Sequence, residues 1–251
     1  MLYQKTQSYT LYLGDLIKEI DNIKSRSVDM IFADPPYFLS SGGITCQSGK
    51  MVSVNKATWD EVDSFESKVK FNNNWIKKVK RVLKDDGNLF ISGSLHNIYV
   101  IGFVLEKNGY DIINNITWVK TNPPPNLSRK SFVHSTETIL WVKKKGVKKT
   151  YFDYQLMKKI NNDKQMKDVW FSSTTKKSEK KFGYHPTQKP LWLLERLVLA
   201  ASKEGDLILD PFSGSGTTGI ISIKNNRRYI GIDINEEYFE IFIKRLKNEI
   251  N

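Results

Sequence analysis

The sequence predicts an α/β protein built on a mostly parallel, doubly wound sheet of seven strands with helices on both faces. Short apolar runs that end in turn residues alternate with stretches of helical periodicity, which is the pattern of such a sheet. A chain of 251 residues can bury one sizeable core. We therefore expect a single catalytic domain, residues 1–251, that carries an insertion.

The strands and helices follow from these two periodicities. Predicted strands are 10–14, 28–33, 88–93, 115–120, 137–143, 207–210 and 228–233. Predicted helices are 15–24, 71–84, 96–108, 187–202, 216–225 and 236–249, the last with Asn235 as its N-cap. Only a proline-rich loop separates 115–120 from 137–143, so we expect that one pair to be antiparallel.

Two segments interrupt the alternation. Residues 38–58 contain four serines and three glycines directly after a predicted strand, which favours a mobile loop. Residues 144–184 are basic, aromatic and poorly periodic, which favours an inserted region.

The charge of the chain favours a polyanionic partner. The net charge is +12, and residues 141–183 alone contain thirteen lysines against four acids. A solvated, lysine-rich surface would look similar. No run of about 18 apolar residues and no secretion signal is present, so we expect a cytoplasmic protein without a membrane span. Cys46 is the only cysteine, which excludes an intramolecular disulfide and a cysteine-based zinc cluster.

The first candidate site is the sequence Asp34-Pro35-Pro36-Tyr37, which follows the strand that ends at Ala33. Ligands of open α/β sheets bind outside the carboxyl ends of the strands. Two prolines make a stiff turn that offers carbonyl acceptors without N–H donors. The Asp34 carboxylate and the Pro35 carbonyl can accept the hydrogens of an amino group on a base, and Tyr37 can stack on that base. The alternative is a helix-terminating turn with a tyrosine.

The second candidate site is a glycine turn after the strand 207–210. Its residues are Asp210, Phe212, Ser213, Gly214, Ser215, Gly216 and Thr217, and Asp233 ends the next strand. Two glycines let a backbone approach a ligand closely, and an acid at the end of the next strand can hold ribose hydroxyls. The turn lacks the lysine of a phosphate-binding loop and the full G-x-G-x-x-G of dinucleotide enzymes, so an adenosine-containing ligand without an essential pyrophosphate is favoured. An ordinary tight turn is the alternative.

The third candidate site is the sequence that opens the predicted helix 187–202. Thr187 is a candidate N-cap, and His185, Thr187 and Lys189 could close over the amino-acid end of the ligand; a simple helix start is the alternative. Asp15, after the first strand, could bind the ligand's adenine or simply cap the helix that follows.

These three motifs, in this order, resemble the β group of DNA amino-methyltransferases. The resemblance covers nearly the whole chain and implies a Rossmann-like class I methyltransferase fold with circularly permuted motifs. It implies S-adenosylmethionine as cofactor, S-adenosylhomocysteine as product and no metal. By the same resemblance Asp34, Pro35 and Tyr37 are target-base residues. The cofactor residues it implies are Asp15, Lys189, Phe212, Gly214, Gly216 and Asp233, to which we add Ala33, Asp34 and the other residues of the second and third sites.

Several longer segments, among them FADPPYFLSSGG and HSTETILW, are similar to GATC-specific adenine methyltransferases of DpnII-type restriction systems. The resemblance implies a bacterial enzyme that methylates adenine N6 in double-stranded DNA, with single-stranded DNA left open. A separate endonuclease would act on the same site. Residues 40–58 would close over the flipped base and 144–184 would recognise DNA. The expected phosphate contacts are Lys143, Lys144, Lys145, Lys148, Lys149, Lys176 and Lys177.

Other functions remain open at this point. Cytosine-N4 methyltransferases need the same acceptors but more often carry Ser at the position of Asp34, and RNA or protein-glutamine methyltransferases more often carry Asn. A cofactor-free DNA-binding protein with this fold is the alternative outside enzymes. Cytosine-C5 chemistry is not expected, because Cys46 lacks the Pro-Cys setting of that nucleophile. Similar enzymes also dimerise, which leaves a homodimer open.

Overall fold

The computed structural model describes residues 1–37, 44–47, 50–53 and 64–249. Its strands are β1 (Leu2–Lys5), β2 (Tyr9–Leu13), β3 (Val28–Ala33), β4 (Ile44–Gln47), β5 (Lys50–Ser53), β6 (Leu83–Gly93), β7 (Tyr110–Lys120), β8 (Thr136–Lys144), β9 (Val169–Ser172), β10 (Leu207–Asp210) and β11 (Arg228–Asp233). Its α-helices are α1 (Leu16–Glu19), α2 (Phe65–Val82), α3 (Ile98–Lys107), α4 (Tyr154–Ile160), α5 (Leu191–Ala201), α6 (Thr217–Lys224) and α7 (Glu236–Glu249).

Nine strands form one sheet in the order β1-β2-β11-β10-β3-β6-β8-β7-β9. The seven central strands are the seven predicted from the sequence, and among them only β8 runs against its neighbours. The α/β fold class and the antiparallel pairing of β7 with β8 are thereby confirmed.

The two strands of this sheet that the sequence analysis missed lie at its edges. β1 pairs antiparallel with β2, and β9 pairs parallel with β7. Each is a four-residue edge strand with exposed residues, unlike the equally short but buried β10, and each depends on one neighbour for hydrogen bonds. The insertion 144–184 is therefore partly regular, since it contains α4, β9 and a short 3₁₀ helix at Lys177–Lys180.

Helix boundaries differ from the prediction at three places. The first helix is only one turn, α1, followed by a 3₁₀ turn at Ile20–Asn22. α2 begins six residues early, because Ser64 caps it by accepting a hydrogen bond from the Ser67 N–H. α5 begins at Leu191, after Pro190, so Thr187 is not its N-cap. The Glu179 carboxylate accepts the Leu191 N–H at 2.8 Å instead.

Part of the predicted active-site loop, 38–58, lies outside the described residues. The described part consists of β4 and β5, which pair as an antiparallel hairpin. The prediction that this segment closes over a base stays a prediction.

The topology brings functional side chains to one edge of the sheet. β2, β11, β10, β3 and β6 are parallel, so their carboxyl ends meet at this edge, which we call the carboxyl edge. Because β8 is reversed, its first residues lie there too. Helices α1, α2 and α3 cover one face, and α5, α6 and α7 the other. Of the helices within the described residues, none has the length and apolar character that crossing a membrane requires.

Candidate active site

The predicted site residues lie at the ends of four adjacent strands. Asp15 follows β2, Asp233 ends β11, Asp210 ends β10 and Asp34 follows β3, in the order in which these strands pair. The first and second candidate sites are therefore neighbours in space, although most of the chain separates them in sequence. Paired strands lie about 4.8 Å apart. Ligands held at the two turns can thus touch.

Asp34 is the centre of a buried cluster of polar side chains. One carboxylate oxygen, Oδ1, accepts a hydrogen bond from the Tyr37 hydroxyl at 2.7 Å. The other, Oδ2, accepts one from the Lys189 ammonium at 2.5 Å, and the same ammonium lies 3.0 Å from the Tyr37 hydroxyl. The structure thus joins the DPPY turn to the HPTQKP segment through a direct ion pair.

Glu137, the second residue of β8, supplies a second carboxylate to this cluster. Its Oε2 lies 3.5 Å from the Lys189 ammonium, and its Oε1 accepts a hydrogen bond from Lys120. Burial alone would raise the pKa of the Glu137 carboxyl, but Lys189 and Lys120 outweigh burial and lower it. Burial alone would lower the pKa of the Lys189 ammonium, but Asp34, Tyr37 and Glu137 raise it well above its usual value. Both groups are therefore charged at neutral pH.

Tyr37 makes a contact that differs from the predicted one. Its side chain is buried, its hydroxyl also lies 3.0 Å from the Ser92 hydroxyl, and the Lys189 ammonium lies over its ring. Burial, together with the charges of Asp34 and Glu137, raises the pKa of Tyr37 well above 10, so the hydroxyl keeps its proton. Stacking of this ring on a base stays a prediction.

A chain of amide side chains fixes the proline turn from behind. The Asn97 amide donates to the Pro36 carbonyl at 2.9 Å, and the Asn72 amide donates to Asn97 at 2.8 Å. The buried Trp75 indole donates to Asn72 at 3.0 Å. Because the Pro36 carbonyl has this partner, the Pro35 carbonyl is the candidate acceptor for a ligand.

The glycine turn after β10 needs glycine at two positions. Gly214 and Gly216 have φ of +50° and +74°, in the left-handed region that favours glycine. The Gly214 N–H donates to Asp233 Oδ2 at 2.7 Å, and the Asn235 N–H donates to Asp233 Oδ1 at 2.9 Å. A Cβ at Gly214 would lie 2.8 Å from His185 Nε2, so the turn and the HPTQKP segment are in close contact.

The polar side chains of this turn bond mainly within the protein. Asp210 accepts the Phe212 N–H at 3.0 Å and the Thr218 hydroxyl at 2.6 Å. Ser213 bonds to Tyr229, Ser215 donates to Gln188, and Thr217 accepts from Arg245. These predicted cofactor contacts therefore shape the turn, and its backbone is the part available to a ligand.

Burial sets the protonation of two groups here. Burial raises the pKa of Asp210 to about 7, and the negative charges of Asp34 and Asp233 add to the shift. Burial also lowers the pKa of His185 to about 3, with Lys189 contributing, so its imidazole is neutral. His185 Nδ1 is buried and has no hydrogen-bond partner among the described residues.

Two further predicted cofactor residues have structural contacts. Asp15 caps α1 by accepting the Ile17 N–H at 2.8 Å, and its side chain is exposed at the carboxyl edge. Phe212 packs edge-on against Trp75, with ring centroids 5.4 Å apart. Neither contact tests the proposed role of the residue.

The predicted phosphate-binding lysines divide into two groups on opposite edges of the sheet. The group of 143–149 lies at the edge where β6 begins: Lys144 donates to the Leu83 carbonyl at 2.7 Å and to Asp85 at 3.1 Å. Lys143 donates to the Val147 carbonyl. Lys176 and Lys177 instead follow β9 at the carboxyl edge and are exposed. Of the seven lysines, only Lys176 and Lys177 therefore lie at the same edge of the sheet as Asp34, and contact of the seven with DNA stays a prediction.

Sequence reasoning missed Glu137, Lys120, Ser92 and Asn97. A signal for Glu137 was present, because β8 was predicted to be antiparallel and an acid at its start must then lie at the carboxyl edge. The contacts of Asn97 and Ser92 depend on packing between distant elements, which no local pattern shows.

Comparisons with known proteins agree with this geometry. The family model described as DNA methylase matches residues 28–244. The chain is 56% identical to the type II methyltransferase M2.DpnII of Streptococcus pneumoniae, over 98% of this chain and 92% of that protein. It is 47% identical to M2.MboI of Moraxella bovis, over 97% and 92%.

Solved structures share the fold. The M1.HpyAVI–SAM complex superimposes with a TM-score of 0.69 at 30% identity, over 95% of this chain and 98% of that one. The cytosine-N4-specific PvuII DNA methyltransferase has a TM-score of 0.76 at 18% identity, over 98% and 89%, a likeness that shows the fold alone.

Proposed function

The chain belongs to the DNA methylase family, and from this premise we propose that it transfers a methyl group from S-adenosylmethionine to the N6 amino group of adenine in DNA. The observation that carries the proposal is the adjacency of two turns. The acceptor turn at Asp34 and the glycine turn at Gly214 follow β3 and β10, which pair directly. One turn suits an amine and the other suits an adenosine-containing cofactor.

Residues of this chain fit S-adenosylmethionine. The absence of a Cβ at Gly214 lets the His185 imidazole pack against the turn, and the buried His185 Nδ1 lacks a partner among the described residues. Gly214, Gly216 and His185 would hold the amino-acid end of the cofactor, and Asp233 and Asp15 the nucleoside. When bound, the cofactor supplies an electrophilic methyl group on a sulfonium.

The acceptor turn prepares the amine. Adenine N6 is a weak nucleophile, because its lone pair is delocalised into the ring. Asp34 and the Pro35 carbonyl accept its hydrogens and favour a pyramidal nitrogen, and the Asp34 carboxylate stabilises the positive charge that develops. Each carboxylate oxygen can accept more than one hydrogen bond, so Asp34 can serve the base while Tyr37 and Lys189 hold it. Alignment of the reactants supplies much of the remaining acceleration.

Lys189 acts on the base side of the site in this proposal. The resemblance implied that Lys189 contacts the cofactor, whereas its ammonium donates hydrogen bonds to Asp34 and Tyr37. Glu137 and Asp34 together hold this cation, which orients the Asp34 carboxylate. Lys189 and Glu137 are thus positioning residues.

Two observations bear on the target base and on the recognition sequence. Aspartate at position 34 and the similarity to M2.DpnII support adenine as the base, and the resemblance to DpnII-type enzymes supports GATC as the site. The enzyme would protect bacterial DNA in the cytoplasm from a separate endonuclease. A homodimer stays a prediction.

Methyl transfer from labelled S-adenosylmethionine to DNA, followed by nucleoside analysis of the product, tests this function. We expect label in N6-methyladenine. Label in N4-methylcytosine would identify the other amino-group reaction, and the absence of label from all DNA would refute the proposed function.

Substitution of the acceptor provides the site-directed test. Asp34→Asn keeps the size of the side chain but removes its charge, so we expect kcat to fall about 10²- to 10³-fold. The affinity for S-adenosylmethionine, measured by calorimetry, should stay within about threefold of the parent value, which corresponds to at most about 0.7 kcal/mol. Asp86→Asn, at an exposed aspartate near the start of β6, is the matched control. An active Asp34→Asn enzyme would contradict the assigned role.

A further inference from the structure

The loop that joins β7 to β8, residues 121–135, begins and ends beside the buried cluster. It starts after Lys120 and ends just before Glu137, both of which belong to that cluster. The Lys120 N–H donates to the Ser135 carbonyl at 2.7 Å, and the Thr121 N–H donates to the Ser172 carbonyl on β9 at 2.9 Å. Two neighbouring elements thus fix the base of the loop at the carboxyl edge.

The tip of this loop has a defined shape. The Asn126 amide donates to the Ser131 carbonyl at 2.7 Å and to its hydroxyl at 2.8 Å. Asn126 Oδ1 accepts the Ser128 N–H at 3.1 Å. Residues 123–125 are three successive prolines, which restrict the backbone before the tip. Arg129 has φ of +53°, a conformation that persists only where surrounding contacts hold it.

The tip presents an aromatic ring to solvent. Phe132 is 96% exposed, the highest exposed fraction of any large apolar side chain among the described residues. Arg129 and Lys130 lie close to it in the chain and are exposed, and the loop contains no Asp or Glu. The Phe132 ring can stack on the bases of DNA, and the Arg129 and Lys130 cations can contact its phosphates. The absence of Asp and Glu from the loop avoids repulsion of those phosphates.

We propose that loop 121–135 contacts the DNA duplex, with Phe132 entering the base stack at the position that the target base leaves. Arg129 and Lys130 contact the flanking phosphates. Extrusion of a base leaves an unfilled gap, and an inserted ring recovers part of the lost stacking. The proposal rests on the proposed function, since it requires a base to leave the duplex for Asp34.

Binding to two duplexes tests the insertion without using methylation. One duplex is intact, and the other carries an abasic position in place of the target base. The parent protein should bind the abasic duplex more tightly, since Phe132 can enter the gap without a cost of extrusion. Phe132→Ala should remove this preference and weaken binding to the abasic duplex roughly tenfold, whereas Phe132→Leu should keep part of it. Phe103→Ala removes an exposed phenyl ring from α3 and is the matched control.

Activity measurements separate this proposal from the proposed function. On intact duplex Phe132→Ala should lower kcat/KM, and a mismatch opposite the target base should restore much of it, because a mismatched base leaves the stack more easily. If Phe132→Ala binds the intact and abasic duplexes, and methylates the intact and mismatched duplexes, as the parent does, the insertion is refuted while the methyltransferase function stands. A parent that binds abasic DNA preferentially but methylates none would refute the function alone. Equal binding of both duplexes by the parent would also refute the insertion.

Discussion

The Glu137 carboxylate balances neighbouring positive charges in the cluster around Asp34. It lies in a row of alternating charges, Asp34, Lys189, Glu137 and Lys120, of which Lys189 is buried and the others are mostly shielded from solvent; their net charge is zero. Each ion has lost water and depends on its neighbours, so the removal of one partner leaves an uncompensated charge. The row therefore links the stability of the fold to the orientation of Asp34.

Glu137→Gln should expose this dependence. The substitution keeps the size of the side chain but leaves Lys120 without its buried partner, so we expect the free energy of unfolding to fall by about 3 kcal/mol. We also expect kcat to fall with little change in the affinity for S-adenosylmethionine, because Lys189 loses one of its two carboxylates. Urea denaturation and calorimetry measure the two effects.

A second substitution provides the control. Lys120→Met combined with Glu137→Gln restores neutrality, so the double variant should be more stable than the sum of the single effects predicts. Additive effects would mean that the two residues do not interact, contrary to the structure.

The sequence predicted only part of this cluster. Asp34 and Lys189 belong to motifs, so their chemistry was expected, although Lys189 was assigned to the cofactor. Glu137 belongs to no motif, and its role follows from the direction of β8. The partners of a charged side chain depend on how distant elements pack, which local spacing does not show.

At the scale of elements, the shape of the glycine turn after β10 depends on the positive φ angles of Gly214 and Gly216. Gly214→Ala should weaken the binding of S-adenosylmethionine roughly tenfold, or about 1.4 kcal/mol, because the new Cβ would displace His185. Calorimetric titration of the cofactor measures the change.

Gly205 provides the matched control for that substitution. It has φ of +80°, but a Cβ added there would meet no atom of the described residues within 4 Å, so Gly205→Ala adds the backbone strain without a collision. We expect Gly205→Ala to lower stability by roughly 1 kcal/mol and to leave cofactor affinity unchanged. If both variants lost affinity equally, strain rather than contact would explain the result.

Elements were predictable where a run or a period of apolar residues is bounded by turn residues. The seven central strands combine apolar runs with turn residues at both ends, and all seven occur. β1 and β9 are short edge strands whose formation depends on β2 and β7, and the start of α5 depends on Glu179, a distant cap. Such contacts come from tertiary structure, which overrides local propensity.

At the scale of the whole molecule, the two edges of the sheet should differ in DNA binding. The double substitution Lys176→Gln with Lys177→Gln should weaken DNA binding. It should also reduce the slope of the logarithm of the DNA-binding constant against the logarithm of the salt concentration by roughly 1–2. Lys148→Gln with Lys149→Gln removes the same charge from the opposite edge and should change neither quantity. Titrations at several salt concentrations measure the slopes. Equal effects of the two pairs would contradict the assignment of DNA to the carboxyl edge.

The stability of the whole fold should depend on the ionisation of Asp210. Its pKa is raised from the ordinary value near 3.8 to about 7, so the folded state binds more protons than the unfolded state between these values. The contribution of Asp210 to the free energy of unfolding is fully present below about pH 4 and is lost as the pH rises through about 7. Between about pH 5 and pH 8 the free energy of unfolding of Asp210→Asn should fall by about 2–3 kcal/mol less than that of the parent. Urea denaturation at the two pH values measures the difference. Asp86→Asn is the control, and an unchanged pH profile in Asp210→Asn would refute the assignment.

The pairing of β2 with β11 has a consequence for synthesis in the cell. These strands come from the first and last parts of the described chain, yet they lie side by side and carry Asp15 and Asp233. A chain emerging from the ribosome cannot assemble this half of the cleft until residue 233 has left the exit tunnel. A growing chain that has not yet released residue 233 therefore lacks the side of the cleft that carries Asp15 and Asp233.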